Sequence, residues 1–319
     1  MNNFRLSIII FILIPLMLIS CSDKREEGKL IVFHAGSLSV PFAQIAARFE
    51  EENPGVEVQL EAAGSRRCAR KISELNRKCD VMGSADYEVI DELLIPEFAC
   101  WNIKFATNEM TLAFMKGSEK AAGLTEDNWY EVLRRDDVTY GRSDPDTDPC
   151  GYRTVLTLKL AEKYYDEDDL ALDLLKKDQE FIRSKETDLL GLLEAGALDF
   201  IFIYRSVARQ HNLGIMLLPD EINLRNPEKA DYYASVSVSI SGKKPGEFIE
   251  RAGAPMVYGV TIPKNAPSPD LALKFVDFLL DKNRGLKVMK DNGQPPLVPA
   301  PTDSYDALPE SLRRYARKD

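Results

Sequence analysis

Short apolar runs alternate with amphipathic stretches along most of the chain after residue 28. The apolar runs are typical of buried strands, and the amphipathic stretches repeat with the period of a helix. This alternation predicts an α/β fold with mostly parallel sheets. We expect strands near residues 30–34, 56–61, 80–83, 108–115, 138–141, 200–203, 214–218, 233–240 and 256–262. We expect helices near residues 41–52, 66–77, 86–95, 126–135, 151–164, 168–181, 187–194, 205–211, 269–280 and 283–291.

The chain is predicted to cross twice between two lobes. Residues 108–114 form the candidate first crossing strand, and a second crossing near 235–241 or 254–258 returns the chain to the first lobe. A cleft then lies at the carboxyl ends of both sheets, where open α/β sheets bind ligands. The expected lobes are residues 29–108 with 254–319 for the first, discontinuous lobe, and residues 109–253 for the second.

Two strand–turn–helix units of one design follow each other near the start of the chain. The first strand runs through His34 and Ala35 into Gly36 and Ser37, and the second ends in Ala63-Gly64-Ser65. The start of each following helix leaves backbone N–H groups without an intrahelical partner, beside a serine hydroxyl, which makes a socket for an anion. A serine at this position more often serves only as a helix cap. Two such sockets on consecutive units predict one anion held between them.

The first residues have the pattern of an export signal. Arg5 supplies a positive charge, and residues 6–18 are an apolar run too short to span a membrane. We expect residues 1–20 to be a signal peptide and residues 21–28 to be a polar tether. A small residue before a cysteine is typical of bacterial lipoprotein signals, in which Cys21 carries the lipid; a plain signal peptide with an incidental cysteine is the alternative. We therefore expect a membrane-anchored lipoprotein in the periplasm or on the outer face of the cell membrane.

The charge of the chain limits its partners. The formal net charge is −10, which argues against nucleic acid, because phosphate binding needs a clustered basic surface. Local groups must capture any bound anion, since the overall field repels it.

Four cysteines remain when Cys21 is assigned to lipid: Cys68, Cys79, Cys100 and Cys150. Outside the cytoplasm an even number suggests disulfides, and four cysteines allow three pairings. Cys68 and Cys79 would lie roughly 16 Å apart along the helix expected at 66–77, too far to bridge. We prefer a Cys79–Cys100 disulfide, because both residues are expected at the same edge of one sheet.

Two further segments are expected to reach the cleft. Asp148 precedes a helix that begins at Pro149, which suits a capping residue, and the N–H groups of Cys150 and Gly151 are candidate anion donors. A buried strand ending at Ile203 and Tyr204 also enters a helix and offers their N–H groups. The hydroxyls of Tyr232 and Tyr258 are weaker candidates.

The chain resembles the tungstate/molybdate-binding proteins of ABC importers over essentially its whole mature length. The segments that carry the resemblance are residues 33–38, 63–65, 80–87, 148–153, 204–211 and 255–261. The resemblance implies a two-lobed periplasmic-binding-protein fold of type II, with no cofactor and no catalytic residue. It implies that Gly36, Ser37, Ser65 and backbone N–H groups hold molybdate or tungstate, and that an importer permease is the partner of a monomer.

In the archaeal-type branch, the resemblance also implies that Asp148 reaches the metal of the oxyanion. A carboxylate beside a dianion is repulsive on Coulomb grounds, unless its oxygen donates to the metal and raises the coordination number. That branch has a second carboxylate, a glutamate, where this chain has Ile203. We favour coordination by Asp148 alone; a protonated Asp148 that donates a hydrogen bond, or a simple helix cap, are the alternatives.

Two other features have ordinary structural interpretations. His34 stands three residues before Ser37, but a Ser–His nucleophile also needs an orienting acid and an oxyanion hole, so we expect a structural histidine. Arg66, Arg67 and Arg70 with Lys71 form a basic run that we expect to be a solvated helix face rather than a steering surface for the anion.

The sequence thus predicts an extracytoplasmic receptor that delivers molybdate or tungstate to an importer. The first alternative is the same fold binding sulfate or another tetrahedral oxyanion. The second is a lipid-anchored serine hydrolase that uses Ser37 and His34.

Overall fold

The computed structural model describes residues 28–177 and 179–318. The predicted signal peptide, Cys21 and all of the tether but its last residue lie outside them. Within the described residues, no helix is long and apolar enough to cross a membrane.

The described chain alternates strands and helices, as the pattern predicts. The strands are β1 (Gly28–Ala35), β2 (Val56–Ala63), β3 (Val81–Ser84), β4 (Ile103–Thr107), β5 (Met110–Phe114), β6 (Tyr140–Ser143), β7 (Ile182–Arg183), β8 (Phe200–Tyr204), β9 (Gly214–Leu217), β10 (Ser237–Ser241), β11 (Phe248–Ala252), β12 (Val257–Thr261), β13 (Ala300–Thr302) and β14 (Ala316–Lys318). The α-helices are α1 (Ser39–Glu52), α2 (Ser65–Ser73), α3 (Tyr87–Leu93), α4 (Trp129–Arg134), α5 (Pro149–Tyr165), α6 (Leu170–Lys176), α7 (Asp188–Glu194), α8 (Arg205–Gln210), α9 (Ala230–Tyr233), α10 (Pro269–Leu280) and α11 (Gly285–Asp291).

Two five-stranded sheets organise the fold. The first has the order β2-β1-β3-β12-β4 and the second the order β7-β6-β8-β5-β9. In the first sheet only β12 runs against the other strands, and in the second only β5 does. The expectation of mostly parallel sheets is confirmed.

Helices cover each sheet and define two units. The first-sheet unit is the first sheet with α1, α2, α3 and α10 packed on it, and the second-sheet unit is the second sheet with α5, α7 and α8. The chain passes from β4 to β5 through Asn108 and Glu109, and β12 returns it to the first sheet. The antiparallel ribbon of β10 and β11 precedes that return and packs on α5.

Most predicted elements are present, and the exceptions have local causes. α2 ends at Ser73 rather than near 77, because Asn76 has a left-handed φ of 50° and the chain turns back there. Residues 230–233 are helical, so the strand expected at 233–240 begins only at Ser237. β4 was not expected; it places Ile103 and Phe105 in the core and leaves Lys104 half-buried.

Candidate anion-binding site

The turns after β1 and β2 face the second-sheet unit at very short range. A Cβ on Gly64 would lie 2.2 Å from the carbonyl oxygen of Thr147 and 2.9 Å from that of Ser184. The N–H of Arg67 donates to the same Thr147 oxygen at 3.2 Å. Only a glycine permits this approach of two backbones. The predicted sockets therefore lie at the contact between the two units.

Ser37 is buried in this contact and oriented by a chain of donors. The Tyr258 hydroxyl donates to the Ser37 Oγ at 3.0 Å, and the Asn108 side-chain amide donates to the Tyr258 oxygen at 2.8 Å. The Gln294 amide donates to the Ser37 carbonyl at 2.9 Å. Since the Ser37 oxygen already accepts a proton, its own O–H remains to donate. Asn108 and Gln294 were not among the predicted site residues.

Ser65 has the same arrangement on the second turn. It is buried at the first position of α2, and its Oγ accepts the N–H of Ala85 at 2.9 Å. Its hydroxyl proton is likewise left for an acceptor. Both predicted serines are thus preset as neutral donors.

Asp148 lies where the sequence predicted, as the N-cap of α5. Its Oδ1 accepts the N–H of Cys150 at 3.3 Å, and its Oδ2 accepts the N–H of Glu186 at 2.8 Å. The N–H of Gly151 donates to the Asp148 carbonyl at 2.9 Å. The two N–H groups predicted to face an anion therefore already have acceptors. Burial raises the pKa of Asp148 above its ordinary value, although the hydrogen bond with the Glu186 carboxyl group, and then these backbone donors, oppose the shift.

Glu186 is the main functional candidate that the sequence analysis missed. Its side chain is buried just before α7, and its carboxyl group pairs with that of Asp148, because a proton on Glu186 can be donated to the Asp148 carboxylate. A Cβ on Gly36 would lie 3.0 Å from Glu186 Oε2 and 2.9 Å from the Thr187 hydroxyl. Burial, and then the nearby charge of Asp148, raise the pKa of Glu186 well above its ordinary value. The sequence around Glu186 indicates only that a helix starts there, and nothing in it points to an anion site.

Arg153 links the two units beside the serines. Its Nη1 donates to the Ala85 carbonyl at 2.8 Å and to the Tyr204 hydroxyl at 3.0 Å. Its Nη2 lies 3.4 Å from Asp86 Oδ2, which also accepts the Tyr152 hydroxyl. The predicted site residue Tyr204 is thus held by its hydroxyl, and its ring centroid lies 6.4 Å from that of Tyr258.

The fourth predicted segment supplies fewer donors than its pattern suggests. Ile203 is buried in β8, in register with Thr111 of β5. The first N–H groups of α8 already have acceptors: Arg205 donates to the Glu109 carbonyl at 3.0 Å and Ser206 to Asn108 Oδ1 at 3.4 Å. The start of α8 therefore fixes the crossing between the sheets.

Tyr232 lies away from the cluster. It is half-buried on α9, with the Lys163 ammonium 4.9 Å from its ring centroid. Lys163 lies near the far end of α5 from Asp148, about 20 Å along the helix. The structure therefore does not bring Tyr232 to the other candidates, because α9 packs beside the opposite end of α5.

The preferred Cys79–Cys100 disulfide is not formed. The four described cysteines are free thiols; Cys79 is buried and Cys100 is exposed. The prediction was wrong here because the two side chains face different environments. Cys79 packs with Phe33 and Cys68 beneath the first sheet, and its Sγ donates to the Val81 carbonyl at 3.1 Å. Burial raises the pKa of the Cys68 thiol to about 12.

The basic run on α2 is a solvated face only in part: Arg67 is exposed, but Arg66 and Arg70 are not. The Arg66 side chain is buried, and its Nε donates to the Asp146 carbonyl at 3.3 Å. Arg70 donates to the same carbonyl at 3.2 Å and to the Ser241 hydroxyl at 2.9 Å. Both acceptors belong to the second-sheet side of the contact. Arg66 and Arg70 therefore tie the two units together.

His34 has the structural role expected of it. Its Nδ1 lies 2.8 Å from the Ala35 carbonyl oxygen and its ring packs on Phe42. Burial lowers the pKa of His34 to about 4, so the ring is neutral at pH 7. Because Ser37 is bonded to Tyr258 instead, the contacts do not support a Ser37–His34 nucleophile.

Comparison with known proteins identifies the family of this chain. The family model described as bacterial extracellular solute-binding protein matches residues 30–293. An uncharacterized solute-binding protein of Petrotoga mobilis is 49% identical over 291 residues, covering 91% of this chain and 90% of that protein. The molybdate/tungstate-binding protein WtpA of Pyrococcus abyssi is 40% identical over 316 residues, covering 91% and 90% respectively.

Solved structures share the fold at much lower identity. The periplasmic molybdate-binding protein of Azotobacter vinelandii has a TM-score of 0.57 at 19% identity and covers 83% of this chain and 98% of its own. The sulfate-binding protein SubI of Mycobacterium tuberculosis has a TM-score of 0.58 at 10% identity and covers 85% and 88%. These likenesses confirm the expected periplasmic-binding-protein fold. The chain belongs to the bacterial extracellular solute-binding protein family.

Proposed function

We propose that this protein captures molybdate or tungstate outside the cytoplasm and delivers it to the permease of an ABC importer. One observation carries the proposal: Ser37 and Ser65, at the contact between the two units, each accept a hydrogen bond from the protein and keep a proton to donate. A fully deprotonated oxyanion only accepts hydrogen bonds, so it suits such a site, whereas a protonated anion also needs an acceptor. The name of the Pyrococcus abyssi relative supports the same ligands.

Asp148 supports a metal oxyanion over sulfate. Its buried carboxyl stands at the same contact, where an ionised carboxylate repels any dianion. Molybdenum and tungsten accept a further oxygen ligand, and the bond offsets the repulsion; sulfur in sulfate does not expand its shell in this way. We therefore propose that Asp148 coordinates the metal of the bound anion, and that sulfate is the weaker ligand.

The remaining features of the proposed receptor come from the sequence. Residues 1–20 are the proposed signal peptide, Cys21 the lipidated residue and residues 21–28 the tether. The proposed lobes are residues 29–108 with 254–319, and residues 109–253. We propose that a monomer closes its lobes over one anion and opens them at the permease.

Isothermal titration with tungstate, molybdate and sulfate in turn tests the proposed function. We expect 1:1 binding of tungstate and molybdate, with sulfate weaker by at least roughly tenfold, about 1.4 kcal/mol. Equal affinity for sulfate would show that the site does not recognise the metal. Ester hydrolysis that is lost in His34→Ala would support the hydrolase instead.

The serines make a second test. Ser37→Ala and Ser65→Ala each remove a neutral donor to a dianion, which we expect to cost about 1.5–3 kcal/mol of binding free energy. Titration of each variant with molybdate measures the loss, and Ser118→Ala, in the loop after β5, is the control. If both serine variants bind as the wild type does, the anion site lies elsewhere.

A further inference from the structure

Three buried arginines meet three carboxyl groups where the two units touch. Arg66 lies on α2, Arg153 on α5 and Arg251 on β11, and all three side chains are buried. The carboxyl groups belong to α3 or to its N-cap: Asp86, Glu88 and Glu92. We call these six residues the arginine cluster. The carboxyl groups and Arg66 lie on the first-sheet unit, so Arg153 and Arg251 attract the carboxyl groups from across the contact.

Arg251 reaches across this contact from the antiparallel ribbon of β10 and β11. Its Nη2 donates to Glu92 Oε2 at 2.5 Å, and its Nη1 forms an ion pair with Glu88 Oε2. Its guanidinium carbon lies 5.8 Å from the centroid of the Tyr152 ring on α5. Arg251 is in register with Val238 of β10, the strand that packs on α5. The residue therefore belongs to the second-sheet side of the contact.

Separation of the two units would leave a repulsive pair on α3. Glu88 and Glu92 are four residues apart on one helix, where two like charges destabilise each other. Arg251 pairs with both of them while the units are in contact. When the units part, the two carboxyl groups keep only Arg66, whose Nη1 lies 3.7 Å from Glu92 Oε2. The arginine cluster therefore favours contact between the units whether or not an anion is bound.

We propose that Arg251 is a positioning residue, which raises the affinity for the anion by holding the two units in contact and does not touch the anion itself. The proposal rests on the proposed function. The ion pairs of Arg251 go to Glu88 and Glu92, not to the two serines or to Asp148. When only a fraction of the molecules is closed, the apparent dissociation constant is the intrinsic constant divided by that fraction. Arg251 therefore changes the affinities for tungstate, molybdate and sulfate by one common factor, whereas Asp148 changes their ratio.

Titration of Arg251→Met with tungstate and with sulfate is the first test. Met keeps an unbranched apolar side chain and removes the charge, so we expect both affinities to fall by the same factor, at least roughly fivefold. Arg251→Lys keeps a charge that can reach one carboxyl group, and we expect intermediate affinities. Burial raises the pKa of Glu92 to about 7, although Arg66 opposes the shift, so the titrations are done at pH 8, where Glu92 is mostly ionised. Unchanged affinities, or a changed ratio of tungstate to sulfate affinity, would contradict the proposal.

Small-angle scattering in the absence of any anion is the second test. We expect a larger radius of gyration for Arg251→Met than for the wild type, and equal radii once both are saturated with tungstate. Equal radii without an anion would contradict the proposal. Absence of tungstate binding to the wild type is a different result, because it overturns the proposed function, and the comparison without an anion still decides whether Arg251 holds the units together.

Two further variants distinguish this effect from damage to the fold. Glu88→Gln, at a half-buried position, leaves Arg251 in place and removes one of its partners, so we expect both affinities to fall with an unchanged ratio. Arg134→Met is the matched control, because Arg134 pairs with Glu167 and Asp173 on one side of the contact. We expect it to bind both anions as the wild type does. An equal loss in Arg134→Met and Arg251→Met would overturn the proposal, since contact between the units would not be the cause.

Discussion

Gly64→Ala is expected to lower the affinity for molybdate or tungstate by at least roughly 100-fold, about 2.7 kcal/mol. The added Cβ would lie 2.2 Å from the Thr147 carbonyl oxygen, and that neighbour is backbone, which cannot rotate away. The two units must then separate, which breaks the bond from the Arg67 N–H to Thr147. An anion held between the units loses the donors or ligands of one side. Titration with tungstate measures the loss.

Gly64→Ala also distinguishes a loss of closure between the two units from a loss of folding. Each unit keeps its own five-stranded sheet, so we expect the thermal unfolding temperature of the ligand-free variant to change much less than its affinity for tungstate. Small-angle scattering should show contraction on adding tungstate in the wild type and no contraction in Gly64→Ala. Gly191→Ala in α7 is the matched control, because a Cβ there meets nothing within 4 Å. Wild-type affinity in Gly64→Ala would contradict a binding site between the units.

The parts of the site that are local in sequence could be predicted from it. A strand that enters a helix through Gly-Ser places a hydroxyl and free N–H groups together whatever the rest of the chain does. Ser37 and Ser65 are therefore found where the pattern indicated, both buried. Pro149 after Asp148 likewise marks a helix start by itself, and the structure has Asp148 at that cap.

The partners of those residues could not be predicted, because they come from distant segments. Asn108 and Gln294 reach Ser37 only through the path of the chain between the two sheets. The sequence around Glu186 indicates only the start of a helix. Its place in the site is visible only in the structure, where its carboxyl group lies against Gly36. The prediction of a disulfide was wrong for the same reason, because the spacing of Cys79 and Cys100 in the sequence does not show which way each side chain faces.

Asp148→Asn is expected to have the second large effect on tungstate binding. The measurement must allow for the hydrogen bonds that both carboxyl oxygens of Asp148 accept. Oδ1 accepts from Cys150 and Oδ2 from Glu186, whereas an asparagine offers one acceptor oxygen. One buried N–H loses its acceptor, which costs about 1–3 kcal/mol of stability. An absolute loss of tungstate affinity would therefore mix a structural effect with a chemical one. The ratio of tungstate to sulfate affinity removes the structural part, because both anions experience the same distortion.

We expect this ratio to fall at least roughly tenfold, about 1.4 kcal/mol, in Asp148→Asn, because only the metal oxyanion loses a ligand. Asp80→Asn is the matched control: Asp80 is buried and accepts the N–H groups of Ile31 and Ser268, so it suffers the same structural loss away from the site. Its ratio should equal that of the wild type. An unchanged ratio in Asp148→Asn would mean that Asp148 is only a helix cap. Higher affinity for both anions would mean that the charge of Asp148 merely repels them. Either result would contradict a bond from Asp148 to the metal.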